Sequence, residues 1–436
     1  MADGAQLLHD VLRAGCGVPD DHPLVTFAAD GSVWSKAELR ARAERSAYTL
    51  RASGVEPGDR VAIMLPNGIE YLELCLAASM VGAIVAHLHT ELRGPMLERP
   101  LRLTEPKLIV AGDGVGRVLE CARPAGSTVL HVPGGSGPGP AGVRRYDEAQ
   151  DHGQRVGQSE VAGRSASEPA CIYSSSGTTG PSKGVTLSHA ALFAMAETSQ
   201  AVLGFGPGDV AYAVTPFYHA NALAFMFLPA TLAGARTVFA ERFSASRFWP
   251  DVARYGATRS SLVGSAAALL ARQPRSEFDG GTLELVAAVP RPRRAREFEV
   301  RFGTVLTEFY GSTEANLPLG IPVGMKCDDT CGRLLPGWEA MVADADDNEV
   351  PAGAPGQLLV RPLRPSTVSS GYWGEPDRTV EMWQNLWIHT GDLMAGTSPS
   401  IDYLGGGSLI EWTKTLDGAM KLDFDTVIPG KWQCDR

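Results

Sequence analysis

A segment rich in glycine and hydroxyl side chains, residues 173–185, constrains this chain more than any other feature. Its thirteen residues hold three glycines, six serine or threonine side chains and Lys183, and they follow a short apolar run at residues 170–173. Glycines let successive backbone N–H groups face an anion, while hydroxyls add donors and lysine adds positive charge. The segment therefore predicts a phosphate-binding loop.

Two other interpretations of this segment fit it less well. A Walker loop has four residues between its first glycine and a Gly-Lys-Ser/Thr ending, whereas Lys183 lies between Ser182 and Gly184. A flexible Ser/Gly linker rarely contains Thr-Thr and Pro-Ser-Lys between apolar flanks. The spacing excludes a P-loop NTPase, and the composition favours phosphate binding over a linker.

The loop and later segments, in the same order, resemble motifs of the AMP-forming adenylating enzymes, which include acyl-CoA synthetases, peptide-synthetase adenylation domains and luciferases. Residues 216–221 (Pro-Phe-Tyr-His-Ala-Asn) resemble the segment beside that family's acyl pocket. Residues 309–314 (Phe-Tyr-Gly-Ser-Thr-Glu) resemble its Tyr-Gly-x-Thr-Glu motif, and residues 387–392 (Trp-Ile-His-Thr-Gly-Asp) resemble its Thr-Gly-Asp motif. The similarity begins near Pro23 and ends after Leu393.

The resemblance implies attack of a carboxylate on the α-phosphorus of ATP, which gives an acyl-adenylate and pyrophosphate. The acyl group then passes to a thiol, usually that of coenzyme A. A carboxylate and a polyphosphate repel each other, so such a site depends on a metal ion, fixed donors and accurate positioning. The implied cofactors and co-substrates are ATP, Mg²⁺ and coenzyme A.

The same resemblance assigns roles to individual residues. Thr178, Thr179 and Lys183 would hold the β- and γ-phosphates, and Thr178 and Glu314 would bind Mg²⁺. The implied catalytic residues are Thr178, Lys183, Glu314 and His219. The implied nucleotide-contacting residues are Ser174, Ser175, Ser176, Gly177, Thr178, Thr179, Gly180, Lys183, Tyr310, Gly311, Ser312, Thr313, Glu314 and Asp392.

Three of these residues would contact specific parts of the nucleotide. Tyr310 would lie against the adenine, Thr313 would donate to the α-phosphate, and Asp392 would accept hydrogen bonds from the ribose hydroxyls. An isolated carboxylate is usually solvated and an isolated tyrosine is usually a half-buried core ring, but the ordered motifs favour the functional roles. His219 either shapes the acyl pocket or access to it, or is a hydrogen-bonded structural histidine, and both alternatives stay open.

One short segment departs from the family pattern. Where relatives have a Gly-Gly or Gly-Ala-Pro turn against the adenine, this chain has Ala-Ala-Val-Pro at residues 287–290. The added side chains are expected to crowd the backbone that approaches the base.

Residues 394–436 depart further. They contain none of the family's Gly-Arg-x-Lys-Asp hinge pattern, so the sequence predicts a chain without the family's C-terminal lid domain and with impaired activity. A capping box from Ser408 to Glu411 starts an amphipathic pattern that predicts a helix, and residues 424–428 have a pattern that predicts a strand. Only 38 residues separate Asp392 from Lys431, which disfavours Lys431 as the family's catalytic lysine.

This tail has a second resemblance. Residues 423–430 are similar to the closing strand of metallo-β-lactamase-fold hydrolases. Lys431 stands where those enzymes usually have a histidine, and their His-x-His-x-Asp cluster is missing, so a zinc hydrolase is excluded.

Hydrophobic periodicity predicts the fold class. A strand at residues 60–65, a helix at residues 69–81 and a strand at residues 83–87 form a β-α-β unit. Similar apolar runs, which indicate further buried strands, recur at residues 107–111, 210–215 and 235–240. They predict a layered α/β fold, αβαβα in the related enzymes, built on largely parallel sheets.

Strand patterns at residues 339–344 and 357–361 predict a smaller, more antiparallel subdomain, which the resemblance implies is a distorted β-barrel. The expected division is an N-terminal synthetase domain at residues 1–393 and an atypical tail at residues 394–436. Within the domain we expect subdomains at about residues 1–165, 166–320 and 321–393.

Composition narrows the function. The chain has 436 residues and a net charge of −10, which argues against a nucleic-acid or anionic-membrane surface. The basic run at residues 291–301 is interpreted as a solvated helix face. Neither a transmembrane run nor a signal peptide is recognisable, so a cytoplasmic protein is expected. The seven scattered cysteines are interpreted as reduced thiols, since Cys327 and Cys331 have no further ligands at metal-site spacing.

The resemblance implies the large N-terminal part of an AMP-forming acyl-CoA synthetase, similar to the branch that activates small acids of the carnitine or short-chain type. The expected partners are a small carboxylic acid, ATP and coenzyme A, without nucleic acid or an integral membrane segment, and a homo-oligomer is left open. The alternative is a non-catalytic remnant that binds adenine nucleotide. A peptide-synthetase adenylation domain is less favoured because no carrier domain is recognised.

Overall fold

The structure is a computed structural model that describes residues 6–13, 18–134, 140–153, 163–175, 182–292, 294–325, 330–351 and 353–395. The strands are β1 (Pro23–Phe27), β2 (Val33–Ser35), β3 (Arg60–Met64), β4 (Ile84–His87), β5 (Leu108–Ala111), β6 (Thr128–His131), β7 (Arg144–Arg145), β8 (Pro169–Ser175), β9 (Lys183–Ser188), β10 (Val210–Ala213), β11 (Arg236–Phe239), β12 (Arg259–Val263), β13 (Leu285–Val289), β14 (Val305–Thr307), β15 (Phe309–Ser312), β16 (Asn316–Gly320), β17 (Arg333–Leu334), β18 (Trp338–Ala343), β19 (Pro355–Pro362), β20 (Gly371–Tyr372), β21 (Trp383–Gln384) and β22 (Trp387–Ala395).

The α-helices are α1 (Lys36–Ala52), α2 (Ile69–Val81), α3 (Pro95–Thr104), α4 (Val115–Glu120), α5 (Tyr146–Gly153), α6 (His189–Leu203), α7 (Leu228–Leu232), α8 (Ala245–Tyr255), α9 (Gly264–Arg272), α10 (Ala295–Phe302) and α11 (Pro376–Met382). A 3₁₀-helix spans Leu8–Leu12, and a π-helix spans Asn221–Phe227 immediately before α7.

Two large sheets form the body of the protein. One has eight strands in the order β20-β9-β8-β4-β3-β5-β6-β7, and the other has seven in the order β14-β13-β12-β10-β11-β1-β2. Most neighbours are parallel; the antiparallel pairs are β8 with β9, β9 with β20 and β1 with β2. The predicted parallel α/β architecture is confirmed.

The helix α2 shows why the pattern was readable. It begins after Gly68, ends before the left-handed Gly82, and matches the predicted helix at both ends. Every residue in it except Glu70 is buried. A largely apolar helix must be covered on most sides, and α2 accordingly contacts both the first large sheet and α1, inside the main hydrophobic core. Its buried Glu73 is paired with Arg42.

The region after Glu314 is antiparallel, as predicted. Its strands β16 and β17 form a three-stranded sheet with β15, which precedes Glu314, and β18-β19-β22-β21 form a sheet of four. The resemblance implied a distorted barrel here. In the described residues, the hydrogen-bonded strands form two separate open sheets instead.

Each of the two large sheets is built from strands that come from separate stretches of the sequence. β1 and β2 belong to the second sheet, whereas β8 and β9 belong to the first. The division near residue 165 stays a prediction, and these pairings show that neither sheet is one continuous stretch of sequence.

The basic run at residues 291–301 contains most of the helix α10. Arg294 and Arg296 are exposed, as the solvated-face interpretation requires, while Phe298 and Phe302 are buried against Trp249. Among the helices that the structure describes, none is both long and apolar enough to cross a membrane. The described cysteines Cys75, Cys121, Cys171 and Cys331 are buried free thiols.

Candidate active site

The two ends of the predicted phosphate loop are joined in the first large sheet. β8 and β9 are antiparallel neighbours, and Ser175 is paired with Lys183 across them. Ser174 is half-buried at this end of β8. The remaining loop residues predicted to contact phosphate lie outside the described residues: Ser176, Gly177, Thr178, Thr179 and Gly180.

Lys183 and Glu314 lie on either side of a tyrosine that the sequence analysis did not single out. The Tyr372 hydroxyl is 3.3 Å from Lys183 Nζ and 3.3 Å from Glu314 Oε1. β20 carries this tyrosine and pairs with β9, with Tyr372 opposite Val185. The structure therefore brings the predicted phosphate lysine and the predicted metal carboxylate into one group.

Tyr310 and Asp392 form a second group. The Tyr310 hydroxyl on β15 donates a hydrogen bond to Asp392 Oδ2 on β22 at 2.5 Å, across 82 positions of sequence. Burial raises the pKa of Tyr310 well above its ordinary value, and the charge of Asp392 raises it further. The phenol consequently stays protonated at neutral pH and keeps the carboxylate oriented.

The end of β15 and the turn at residues 313–315 hold the residues between Tyr310 and Glu314. A Cβ on Gly311 would lie 2.1 Å from the carbonyl oxygen of Asn316, so only glycine fits. The Ser312 hydroxyl accepts a hydrogen bond from the Ala315 N–H at 3.0 Å. Ser312 and Thr313 are half-buried. Their contact with a nucleotide stays a prediction.

Asn67 fixes the start of the segment that contains His219. This buried amide donates to the carbonyl oxygens of Thr215 at 3.1 Å and Ala240 at 2.8 Å, and its oxygen accepts from the Phe217 N–H at 2.8 Å. Those acceptors follow β10 and β11, at the carboxyl ends of the second large sheet. One side chain from the first sheet thus positions the segment against the second.

His219 itself is exposed. Its ring centroid is 5.0 Å from that of Tyr218, which in turn is 4.3 Å from that of His89. Its backbone N–H donates to the carbonyl oxygen of Pro216 at 3.0 Å. His219 therefore belongs to an aromatic group with Tyr218 and His89, and its catalytic role stays a prediction.

The alanines at the predicted adenine turn face the protein interior. Ala287 and Ala288 are fully buried, with one methyl in each of two hydrophobic clusters on opposite faces of β13. Val289 and Pro290 are half-buried. The predicted crowding of a base at this turn can therefore come only from the latter two side chains.

Glu308 is a buried carboxyl directly before the Tyr310 segment. Its Oε1 accepts a hydrogen bond from the Arg291 N–H at 3.0 Å. Burial raises the pKa of Glu308 to about 7, although that bond and the charge of Arg291 oppose the rise.

We expect Glu308→Gln to remove part of the pH dependence of stability. The folded-state pKa is about 7 and the usual value is 4.5, so the neutral carboxyl stabilises the fold fully below the usual value, and this contribution is lost as the pH rises through about 7. In urea denaturation, the unfolding free energy of the variant should rise relative to that of the wild type between about pH 5 and pH 7.5. A constant difference across that range would contradict the assignment.

The fold and these grouped motifs agree with a family-level comparison. The profile of the family described as AMP-binding enzyme matches residues 13–373. The chain belongs to this family. The predicted membership of the AMP-forming adenylating enzymes is confirmed.

Curated relatives of this AMP-binding enzyme include acid–CoA ligases. The sulfoacetate–CoA ligase of Cupriavidus necator is 29% identical over 396 residues, which are 88% of this chain and 75% of that protein. The crotonobetaine/carnitine–CoA ligase of Salmonella agona is 26% identical over 404 residues, which are 89% of this chain and 77% of that protein.

Solved structures agree with the fold. Apo MatB from Rhodopseudomonas palustris is 28% identical, with a TM-score of 0.77, and the match covers 93% of this chain and 78% of that one. ATP-bound MatB from the same organism is also 28% identical, with a TM-score of 0.76, and the match covers 90% of this chain and 76% of that one. The predicted synthetase-like fold of this AMP-binding enzyme is confirmed.

The candidate site of this AMP-binding enzyme includes Tyr372, which sequence reasoning missed. A glycine–aromatic pair, Gly371 and Tyr372, stands between the segments at residues 356–361 and 387–392. The isolated pair resembles an ordinary strand end, and only the pairing of β20 with β9 brings Tyr372 to Lys183.

Proposed function

We propose that this AMP-binding enzyme activates a small carboxylic acid with ATP and transfers the acyl group to coenzyme A. The observation that carries the proposal is the grouping of Tyr310 with Asp392 and of Lys183 with Glu314. In the first half-reaction a carboxylate oxygen attacks the α-phosphorus and pyrophosphate leaves. In the second, the thiol of coenzyme A attacks the acyl carbonyl and AMP leaves.

Each described group suits one part of the nucleotide. Asp392 has an acceptor oxygen beyond the one that binds Tyr310, and a carboxylate suits the ribose hydroxyls. Lys183, at the start of β9, suits the β- and γ-phosphates as a positive charge at the end of the loop. Thr178, Thr179 and the glycine amides would complete that contact, and Thr313 would donate to the α-phosphate.

Glu314 fits a magnesium ion bound together with ATP. Within the described ranges no three His, Cys, Asp or Glu side chains form a metal-binding cluster. Mg²⁺ is commonly bound through one or two carboxylates together with substrate phosphates and water, so a single glutamate with Thr178 is a fitting donor set. When bound, the ion offsets negative charge on the phosphates.

Small acids are the proposed substrate class because two curated relatives are ligases of sulfoacetate and of crotonobetaine or carnitine. His219 would lie beside the acyl group. A cytoplasmic location and the oligomeric state belong to the sequence expectation and stay predictions.

We propose in addition that this chain synthesises thioester slowly. Residues 394–436 carry no sequence match to the family's hinge, and closing a site against water contributes to such reactions. Release of pyrophosphate and formation of thioester, measured together over a panel of small acids, should show the second lagging the first. Equal rates of both would contradict this part of the proposal.

Calorimetry with ATP and AMP at millimolar concentration tests the nucleotide site. Binding of both nucleotides with acid-dependent pyrophosphate release supports the enzyme. Binding without pyrophosphate release over the acid panel supports the non-catalytic remnant instead. Failure of folded protein to bind either nucleotide overturns the site assignment.

A further inference from the structure

Tyr372 lies between the two oppositely charged side chains of the candidate site. Its hydroxyl is 3.3 Å from Lys183 Nζ and 3.3 Å from Glu314 Oε1, and its ring centroid is 4.5 Å from Lys183 Nζ. An ammonium group only donates hydrogen bonds and an ionised carboxylate only accepts them. The hydroxyl therefore accepts from Lys183 and donates to Glu314.

The backbone around Tyr372 is tied to both elements that carry these charges. The Trp373 N–H donates to the carbonyl oxygen of Gly184 at 2.8 Å, and the Ser369 N–H donates to that of Glu314 at 3.1 Å. The backbone around the tyrosine is thus held both to β9 and to the turn after β15.

Gly371 and Thr379 hold the other side of this short strand. Gly371 has a φ of +113°, and a Cβ there would lie 2.3 Å from Thr379 Cγ2. The Thr379 hydroxyl oxygen accepts a hydrogen bond from the Tyr372 N–H at 2.9 Å. β20 is therefore packed closely on α11, which limits the movement of the tyrosine.

The phenol keeps its proton at neutral pH. A tyrosine hydroxyl ordinarily titrates at about pH 10, far above neutral pH. The hydroxyl therefore remains able to donate to Glu314 while it accepts from Lys183.

We propose that Tyr372 is a positioning residue that keeps Lys183 and Glu314 apart and oriented, the lysine toward polyphosphate and the carboxylate toward a divalent cation. The inference rests on the proposed function, because it assigns the tyrosine to the same nucleotide site. Without the hydroxyl, the two opposite charges are free to approach each other directly. A direct ion pair would compete with phosphate for the lysine and with the cation for the glutamate.

Tyr372→Phe tests the inference because it removes only the hydroxyl and keeps the ring against Lys183. We expect the Kd for ATP with Mg²⁺ to rise about tenfold, the size of one hydrogen bond to a charged group. The Kd for AMP should change less than about twofold, since AMP has no β- or γ-phosphate for Lys183 to bind. Calorimetry on the full chain measures both.

Tyr212→Phe is the matched control. Tyr212 on β10 also donates its hydroxyl to a carboxylate, Asp251 Oδ2 at 2.8 Å, in the second large sheet. It should leave both Kd values unchanged. A second comparison uses Glu314→Gln as background: if Tyr372 acts through Glu314, adding Tyr372→Phe should weaken ATP binding less than it does in the wild type.

The outcomes separate the inference from the proposed function. Loss of ATP affinity with AMP affinity retained supports the positioning role. Unchanged ATP affinity, an equal loss for AMP, or full additivity with Glu314→Gln overturns it while the nucleotide site stands. Failure of the wild type to bind either nucleotide overturns the proposed function and this inference with it.

Discussion

Glu314→Gln is expected to lower the rate of acid-dependent pyrophosphate release on the order of 10²-fold, the scale of losing one charge-stabilising group at a reacting centre. The amide keeps the size of the side chain and loses the negative charge that suits Mg²⁺. The rate is measured with saturating acid and a series of MgATP concentrations.

A binding measurement makes this prediction independent of turnover. In the wild type, ATP should bind more tightly with Mg²⁺ than with a chelator, and Glu314→Gln should remove most of that difference. Glu339→Gln on β18 is the control. Glu339 is also a carboxylate with a charged partner, Arg361, and it is not one of the residues assigned to the nucleotide. A variant that retains the full effect of Mg²⁺ would show that Glu314 is not the metal carboxylate.

Local sequence signals predicted much of the fold. The helix α2 was predicted to the residue because a largely apolar run is bounded by Gly68 and Gly82, which mark its start and its left-handed end. The strands β3, β4, β5, β10 and β11 were found within about two residues, since buried parallel strands are continuous apolar runs. These signals depend only on neighbouring residues.

Pairing between distant segments was not readable in the same way. Sequence reasoning assigned Tyr310 to adenine and Asp392 to ribose, and it had no means to show that the two side chains share a hydrogen bond, because β15 and β22 belong to different sheets. The structure also has a π-helix at Asn221–Phe227, immediately before α7. Such bulges depend on packing more than on local propensity.

Tyr372 shows the same limitation most clearly. Its strand has only two residues and pairs with β9 across 187 positions, from Tyr372 to Val185. Two residues carry no periodicity, so sequence alone gives no reason to connect them with Lys183. The long-range pairing of β20 with β9 creates that part of the candidate site.

Asp392→Ala is expected to weaken AMP and ATP by similar factors of about 10- to 150-fold, because both nucleotides carry the ribose and a hydrogen bond to a charged group contributes about 1.5–3 kcal/mol. Lys183→Ala should weaken ATP far more than AMP. The ratio of the two affinities therefore distinguishes a ribose contact from a phosphate contact, and calorimetry on both variants measures it.

Loss of the carboxylate also leaves the buried hydroxyl of Tyr310 without its acceptor, so a fall in affinity could reflect a disturbed fold. Asp392→Asn is the control, because its amide oxygen still accepts from Tyr310 while the negative charge is lost. If Asp392 binds ribose, Asn should retain the wild-type melting temperature and an affinity between those of Ala and Asp for both nucleotides. If Asp392→Ala weakens ATP and leaves AMP unchanged, Asp392 acts on the phosphates or the metal instead, and the ribose assignment is wrong.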